Sequence, residues 1–372
     1  MAIKAKQGRS EARKRALGGA RSGRVKGYRF GFSHGFHTGR CQAVMNRIPE
    51  RIEKRRAVKV MYVQEGTPGF RTLDLGIIHT LGDMVQELRV VYSSDLIEAA
   101  QQFKPDLILV LNGIFQVSNE QLEQLRALGF RTAVWIMDDP YFMDVTTRMT
   151  PLYDYVFTYE VNTVPYYKSL GCPQVHYLPS AVSRAVISPR YVEKEYRSDV
   201  CFIGQGFPNR IAFFNKVVPA LKGVRLFMAG YGWNFLKNYA DIKRYVNLRG
   251  VLYDQNIMHY AGAKIVINLH RITNPASSKF IQPMSLNPRT FEIAGSGAMQ
   301  LTDVRSELPR MFTPGEELAT FSTPAELVER IHYYLQHEEE REQMALRGLS
   351  RALSDHTYGH RLEEMLRIIF GE

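Results

Sequence analysis

The sequence predicts an α/β protein of two Rossmann-like domains that face each other across a cleft, preceded by a basic tail. Three observations lead there. From Val58 onward, short β-branched or aromatic runs alternate with segments of helical spacing. The rhythm stops after His176, crosses a stretch containing Pro179 and Pro189, and restarts at Val200. The 372 residues also suffice for two separate cores.

The tail comes first. The formal charge of +11 is uneven: residues 1–57 hold 16 Lys+Arg against 3 Asp+Glu, and the remainder 32 against 34. Gly18, Gly19, Gly23, Gly27, Gly31, Gly35 and Gly39 lie among arginines with no periodic apolar face. Residues 1 to about 46 therefore read as mostly disordered, with a short amphipathic helix over Ala43–Arg56. Such a tail suits an anionic polymer or surface through counterion release, and suits a solvated extension without a partner equally well. His34, His37 and Cys41 are metal-ligating types, but no second cluster completes a tetrahedral set, so no metal is expected.

Composition sets further bounds. Hydrophobic residues make up 45% and charged residues 23%, the mix of a soluble globular protein. No apolar run reaches the roughly 18–20 residues of a membrane span, and the basic start lacks the apolar core of a secretory signal. Cys41, Cys172 and Cys201 are odd in number and widely spaced. That argues for a reducing compartment, and cytoplasm is the expectation.

The first domain is expected over residues 58–178. Its strands are Val58–Val63, Leu88–Tyr92, Leu107–Leu111, Thr132–Met137 and Tyr155–Tyr159, with helices such as Ser94–Phe103 and Ser118–Leu128 between them. Short, buried, β-branched runs separated by helices give a parallel sheet. Residues 179–198 read as a linker. The second domain, 199–355, carries strands at Val200–Ile203, Arg225–Met228, Lys264–Asn268 and Ala298–Leu301. Helices over Pro324–Gln336 and Glu338–Ala352 follow, and residues 356–372 hold a last helix from Gly359 to Phe370.

Chemistry concentrates in the second domain. In N-P-R-T-F-E-I-A-G-S-G-A-M-Q-L-T-D, Asn287 to Asp303, Asn287 is a natural N-cap and Pro288 fits the first helical position. The helix start offers N–H groups and a positive dipole to a phosphate. Arg289 adds charge there, and Glu292, one turn in, can accept from two sugar hydroxyls. Gly204 and Gly206 form a glycine loop after a strand, and Arg210 lies on the first turn of the helix behind it. Alone, such a loop is more often a simple tight turn. His270 and Arg271 end another strand on the same side, where the plainer reading is a solvated strand end. In the first domain, Glu65 lies in a glycine-containing loop after the first strand. Asp138 and Asp139 follow the fourth, and alternation points them in different directions. Asp139 and Glu65 are the candidates for a general base. A turn held by side-chain-to-backbone hydrogen bonds explains Asp-Asp-Pro equally well.

Glu292, Gly297 and the following strand resemble the E-A-M-A-x-G-x-P-V segment of glycosyltransferases with the GT-B architecture. R-T-F-E with L-T-D, F-x-P-G-E-E-L at Phe312–Leu318, and H-T-Y-x-H-R at His356–Arg361 resemble the spore maturation (CgeB-type) glycosyltransferases more specifically. The similarity runs from about Lys59 to the C-terminus. It implies two Rossmann-like domains, a C-terminal helix crossing back to the first, and a nucleotide-sugar donor held by the second domain. It also implies a glutamate on the nucleotide ribose, a glycan or protein acceptor, and work on spore-coat or surface material. Cationic side chains and helix dipoles would replace a metal at the leaving group, and no cofactor is implied. Many retaining relatives carry a second glutamate eight positions before the first; here that position is Met284. The expected activity is metal-independent hexosyl transfer. A non-catalytic scaffold or glycan-binding module and a nucleotide-sugar 2-epimerase are the alternatives.

Overall fold

A computed structural model describes residues 31–49, 55–272 and 277–371. Its body holds two six-stranded, fully parallel sheets. The first contains β1 (Arg56–Val63), β2 (Val85–Val91), β3 (Leu107–Leu111), β4 (Thr132–Ile136), β5 (Tyr155–Thr158) and β6 (Gln174–Tyr177). The second contains β7 (Ser198–Ile203), β8 (Leu226–Ala229), β9 (Val246–Asn247), β10 (Ala263–Asn268), β11 (Met299–Asp303) and β12 (Ala319–Phe321). Strand orders are β2-β1-β3-β4-β5-β6 and β12-β11-β10-β7-β8-β9. The order therefore reverses beside β1 in one sheet and between β7 and β10 in the other. In open α/β sheets, ligands collect at those points, beyond the carboxyl ends of the strands.

Helices cover both faces. Residues 31–47 form α1. In the first domain, α2 (Arg71–Met84), α3 (Leu96–Phe103), α4 (Asn119–Ala127), α5 (Met143–Met149) and α6 (Thr163–Ser169) alternate with the strands. The second uses α7 (Pro208–Val217), α8 (Tyr239–Ile242), α9 (Tyr253–Gly262), α10 (Pro288–Gly295) and α11 (Leu308–Met311). Three longer helices close the chain: α12 (Pro324–Gln336), α13 (Glu338–Asp355) and α14 (Tyr358–Phe370). Continuous apolar runs such as Leu107–Leu111 are buried throughout, as strands covered on both faces must be. Leu362, Met365, Leu366 and Ile369 of α14 join the core of the first sheet with Leu73, Ile77 and Leu81 of α2.

Two crossings tie the domains together. Val182 pairs with Thr357, its N–H donating to His356 O at 2.9 Å, and Tyr358 N–H returning to Val182 O at 3.2 Å. After β10, residues 277–287 run over the first domain. Ile281 packs into its core, Lys279 Nζ reaches Tyr166 Oη at 2.8 Å, and Ser285 Oγ accepts from Val161 N–H at 3.0 Å.

The N-terminal segment departs from expectation. Of residues 1 to about 46, expected to be mostly disordered, 1–30 lie outside the described residues and 31–46 are helical. The helix expected over Ala43–Arg56 instead covers residues 31–47, residues 50–54 lie outside the described residues, and Arg56 opens β1. Gly31, Gly35 and Gly39 have no neighbour within 4 Å of an added Cβ, so the glycines line the open side of α1. The other side buries Cys41 and Met45 against Leu346, Leu349 and Leu353 of α13. Arg40 pairs with Glu342 at 3.3 Å, and His37 Nε2 lies 2.8 Å from Gly297 O. His34, His37 and Cys41 thus serve packing: His34 Nε2 accepts from Val192 N–H at 3.3 Å, and Cys41 Sγ lies 3.5 Å from His37 Nε2.

Candidate functional site

Between the sheets lies a cleft of about 750 Å³, at the carboxyl ends of β1, β4, β7 and β10. Its second-domain wall carries Gly204, Arg210, Arg271, Arg289 and Glu292. Gly206, His270, Asp139 and Glu65 are not among the lining residues. Asp138 is.

Glu292 and Arg289 are placed by the cap of α10. Asn287 Oδ1 accepts from Thr290 N–H at 3.1 Å, and Pro288 takes the first helical position. His270 is a strut for this cap. Its Nδ1 lies 2.6 Å from Asp303 Oδ1, and Asn287 N–H donates to its Nε2 at 3.2 Å. That pattern fixes the neutral tautomer with the proton on Nδ1, and burial lowers the ring's pKa further. Asp303, with His270 and Arg305 beside it, is held well below the usual carboxylate range despite its burial. With both ring nitrogens engaged, His270 supports the second-domain wall without lining the cleft.

The glycine loop is set from below. Trp233 Nε1 donates to Gly204 O at 2.9 Å, and a Cβ on Gly204 would lie 2.8 Å from Arg289 Nη2. Gly206 meets Gly232, where an added Cβ would lie 2.9 Å from backbone carbon, so it packs loop on loop. Arg210 is buried; its Nε donates to Leu269 O at 2.9 Å and its Nη1 to Gln205 O at 3.0 Å. Burial, with Arg289 nearby, lowers its pKa to about 9. Arg271 lies over the rings of Phe207 and Tyr141, at 4.3 and 4.5 Å from their centroids. Three guanidiniums thus converge beside one carboxylate.

The first-domain wall differs from expectation. Asp139 is fully buried and accepts from Thr158 Oγ1 and Tyr167 Oη, both at 2.6 Å, and from Thr163 Oγ1 at 3.1 Å. It braces β5 and α6. Glu65 is buried too, accepting from Thr67 N–H at 2.8 Å and Gln116 Nε2 at 2.6 Å, which shapes the loop after β1. Asp138 is the carboxylate at the cleft. Asn112 Nδ2 donates to its Oδ2 at 3.2 Å, while Asn112 Oδ1 accepts from the N–H groups of Met137 and Asp138 at 3.1 and 3.2 Å. Burial raises the pKa of Asp138 to about 6, with the Arg271 charge opposing. Alternation had separated the two aspartates; which one met the cleft depended on how β4 is inserted in the sheet.

Two other motifs are explained by support. Phe291, Phe312 and His356 form one cluster, with ring centroids 5.2–5.8 Å apart. His356 Nε2 lies 2.6 Å from Met311 O, and Arg361 Nη2 lies 2.9 Å from His356 Nδ1. The F-x-P-G-E-E-L and H-T-Y-x-H-R segments therefore meet beneath α10. At position 284 the first domain supplies a carboxylate: Glu160 accepts from the N–H groups of Met284 and Ser285, each at 3.0 Å. Sequence reasoning had no signal for that clamp.

Two parallel-sheet domains around a cationic cleft, with the last helix returned to the first domain, define the GT-B class. The comparisons agree. A family model described as glycosyl transferase-like matches residues 210–367. The chain is 27% identical over 309 residues to the spore protein CgeB of Bacillus subtilis (strain 168), covering 81% of this chain and 95% of that protein. Among solved structures, Anabaena HepE in complex with UDP-glucose aligns with a TM-score of 0.59 and 10% identity, over 85% of this chain and 100% of that one. Sucrose-phosphate synthase from Thermosynechococcus elongatus aligns with a TM-score of 0.58 and 12% identity, over the same shares. This chain has the GT-B fold and resembles the CgeB-type glycosyltransferases. Among the described residues, no helix is long and apolar enough to cross a membrane.

Proposed function

We propose that the chain moves a hexosyl group from a nucleotide-sugar to a hydroxyl of a glycan or protein acceptor. The observation that carries this reading is the convergence of Arg210, Arg271 and Arg289 with Glu292 on one wall of the cleft. Guanidiniums match phosphate oxygens bidentately and can stabilise the departing diphosphate without a metal. Glu292 takes the ribose hydroxyls. The likeness to HepE, whose structure holds UDP-glucose, supports a donor of that chemical class.

Asp138 takes the place proposed from sequence for Asp139 or Glu65. It faces the cleft, and a base with a pKa near 6 is ionised at neutral pH yet basic enough to take a hydroxyl proton. The resemblance to the spore protein CgeB supports spore-surface material as the setting. Residues 1–57, with their excess of Lys+Arg, would hold the enzyme to an anionic polymer there.

A thermal-shift screen tests the donor claim. UDP, GDP, dTDP and CMP and their sugars are added with and without EDTA. At 100 times the dissociation constant the fold gains about 2.7 kcal/mol. An EDTA-insensitive shift for one nucleotide is the expected result. No shift with any of them removes the donor site and leaves a scaffold. Donor converted without an acceptor to an epimeric nucleotide-sugar would identify an epimerase instead.

A further inference from the structure

Across the cleft, α2 of the first domain and α10 of the second meet through Thr72 and Glu292. Thr72 Oγ1 donates to Glu292 Oε1 at 2.7 Å. Among the described residues no other hydrogen bond or ion pair reaches this carboxylate, so Oε2 is unengaged. Both residues line the cleft. Thr72 is itself buried, in the first turn of α2. That turn is locked to β1: Asp74 accepts from Tyr62 Oη at 2.8 Å and from the N–H groups of Glu65 and Gly66 at 3.1 and 2.9 Å. Thr72 therefore moves with the first domain, while Glu292 moves with the second.

A single hydroxyl from the opposite domain has two effects on a half-buried carboxylate. It favours the ionised form, which burial disfavours here. It also fixes the rotation of the carboxylate plane, so that the free oxygen has one direction. We propose that Thr72 is a positioning residue of the donor site. Held by the first domain, it occupies one oxygen of Glu292 and presents the other to the ribose, which makes nucleotide affinity depend on domain closure. This rests on the donor reading above.

The test is a double-variant titration, with UDP as probe, or whichever of GDP, dTDP and CMP the wild-type chain binds in its place. Calorimetry is run on wild type, Thr72→Val, Thr72→Ser, Glu292→Ala and the Thr72→Val/Glu292→Ala pair, with thermal unfolding of each to confirm folding. Thr72→Val is expected to weaken binding about tenfold, Thr72→Ser to stay within about twofold, and Glu292→Ala to weaken it on the order of 30- to 100-fold. The pair should bind as Glu292→Ala does, because the threonine acts only through the glutamate. A Glu292→Ala chain that binds like wild type overturns the donor reading and the inference with it. The inference alone falls if Thr72→Val binds normally beside a weakened Glu292→Ala. It falls equally if the losses add in the pair, or if Thr72→Ser is as weak as Thr72→Val.

Discussion

The two walls of the cleft are built on different principles. On the second domain, charge is placed by two helix starts and, through Arg271, by the segment after β10. Asn287 caps α10, Pro288 sets its first turn, and Arg289 and Glu292 project from it; Arg210 rises from the first turn of α7. On the first domain, the carboxylates at and behind the cleft mostly bond their own domain. Glu65, Asp74 and Asp139 are consumed in holding backbone, hydroxyl or amide groups, and Asp138 alone of these carboxylates lines the cleft. A carboxylate near a presumed site is therefore no guide to its role until its partners are counted.

The largest effect that sharpens this contrast is expected at Asp138. Asp138→Asn should lower turnover by about 10²–10⁴-fold, in transfer or in donor hydrolysis, with nucleotide affinity unchanged. An acid limb in the pH profile is expected from the same residue. Its pKa is raised to about 6, and only the ionised form accepts a proton, so turnover falls as pH drops through about 6. That limb should vanish in Asp138→Asn. On the opposite wall, Glu292→Ala should cost about 2–3 kcal/mol of donor binding, read by calorimetry, with no new pH limb.

Asp139→Ala marks the boundary between site and support. Three hydroxyls lose their acceptor, so stability should fall by about 1–3 kcal/mol in denaturant unfolding, while nucleotide affinity holds. If affinity falls instead, the wall is more tightly coupled to the β5–α6 brace than the hydrogen bonds indicate. The smallest effect is at the tail. Deleting residues 1–30 should leave nucleotide affinity within about twofold, while binding to an anionic polymer loses its steep salt dependence.

Legibility in the sequence followed the same division. The second-domain wall of the cleft was readable because a cap, a proline and a glycine loop are local signals, and local backbone chemistry fixes where Arg289 and Glu292 point. His270 looked similar but is a strut, since its partner Asp303 comes from another strand, 33 positions away. The first-domain wall was not readable to the residue. Period-two alternation separates Asp138 from Asp139 but carries no information on which side opens to the cleft. Helix α1 was missed for another reason. Glycine costs a helix about 1 kcal/mol per residue, and Gly31, Gly35 and Gly39 argue against one locally. Burial of Cys41 and Met45 on α13, with the Arg40–Glu342 pair, outweighs that penalty only in the folded chain.

The most direct measurement is a crystal structure of the chain with UDP-glucose at saturating concentration. A diphosphate is expected within about 3 Å of the Arg289 and Arg210 guanidiniums, with a ribose on the free oxygen of Glu292. The sugar should face Asp138. Nucleotide bound elsewhere, or lying in the cleft with Glu292 still bonded only to Thr72, would contradict that expectation.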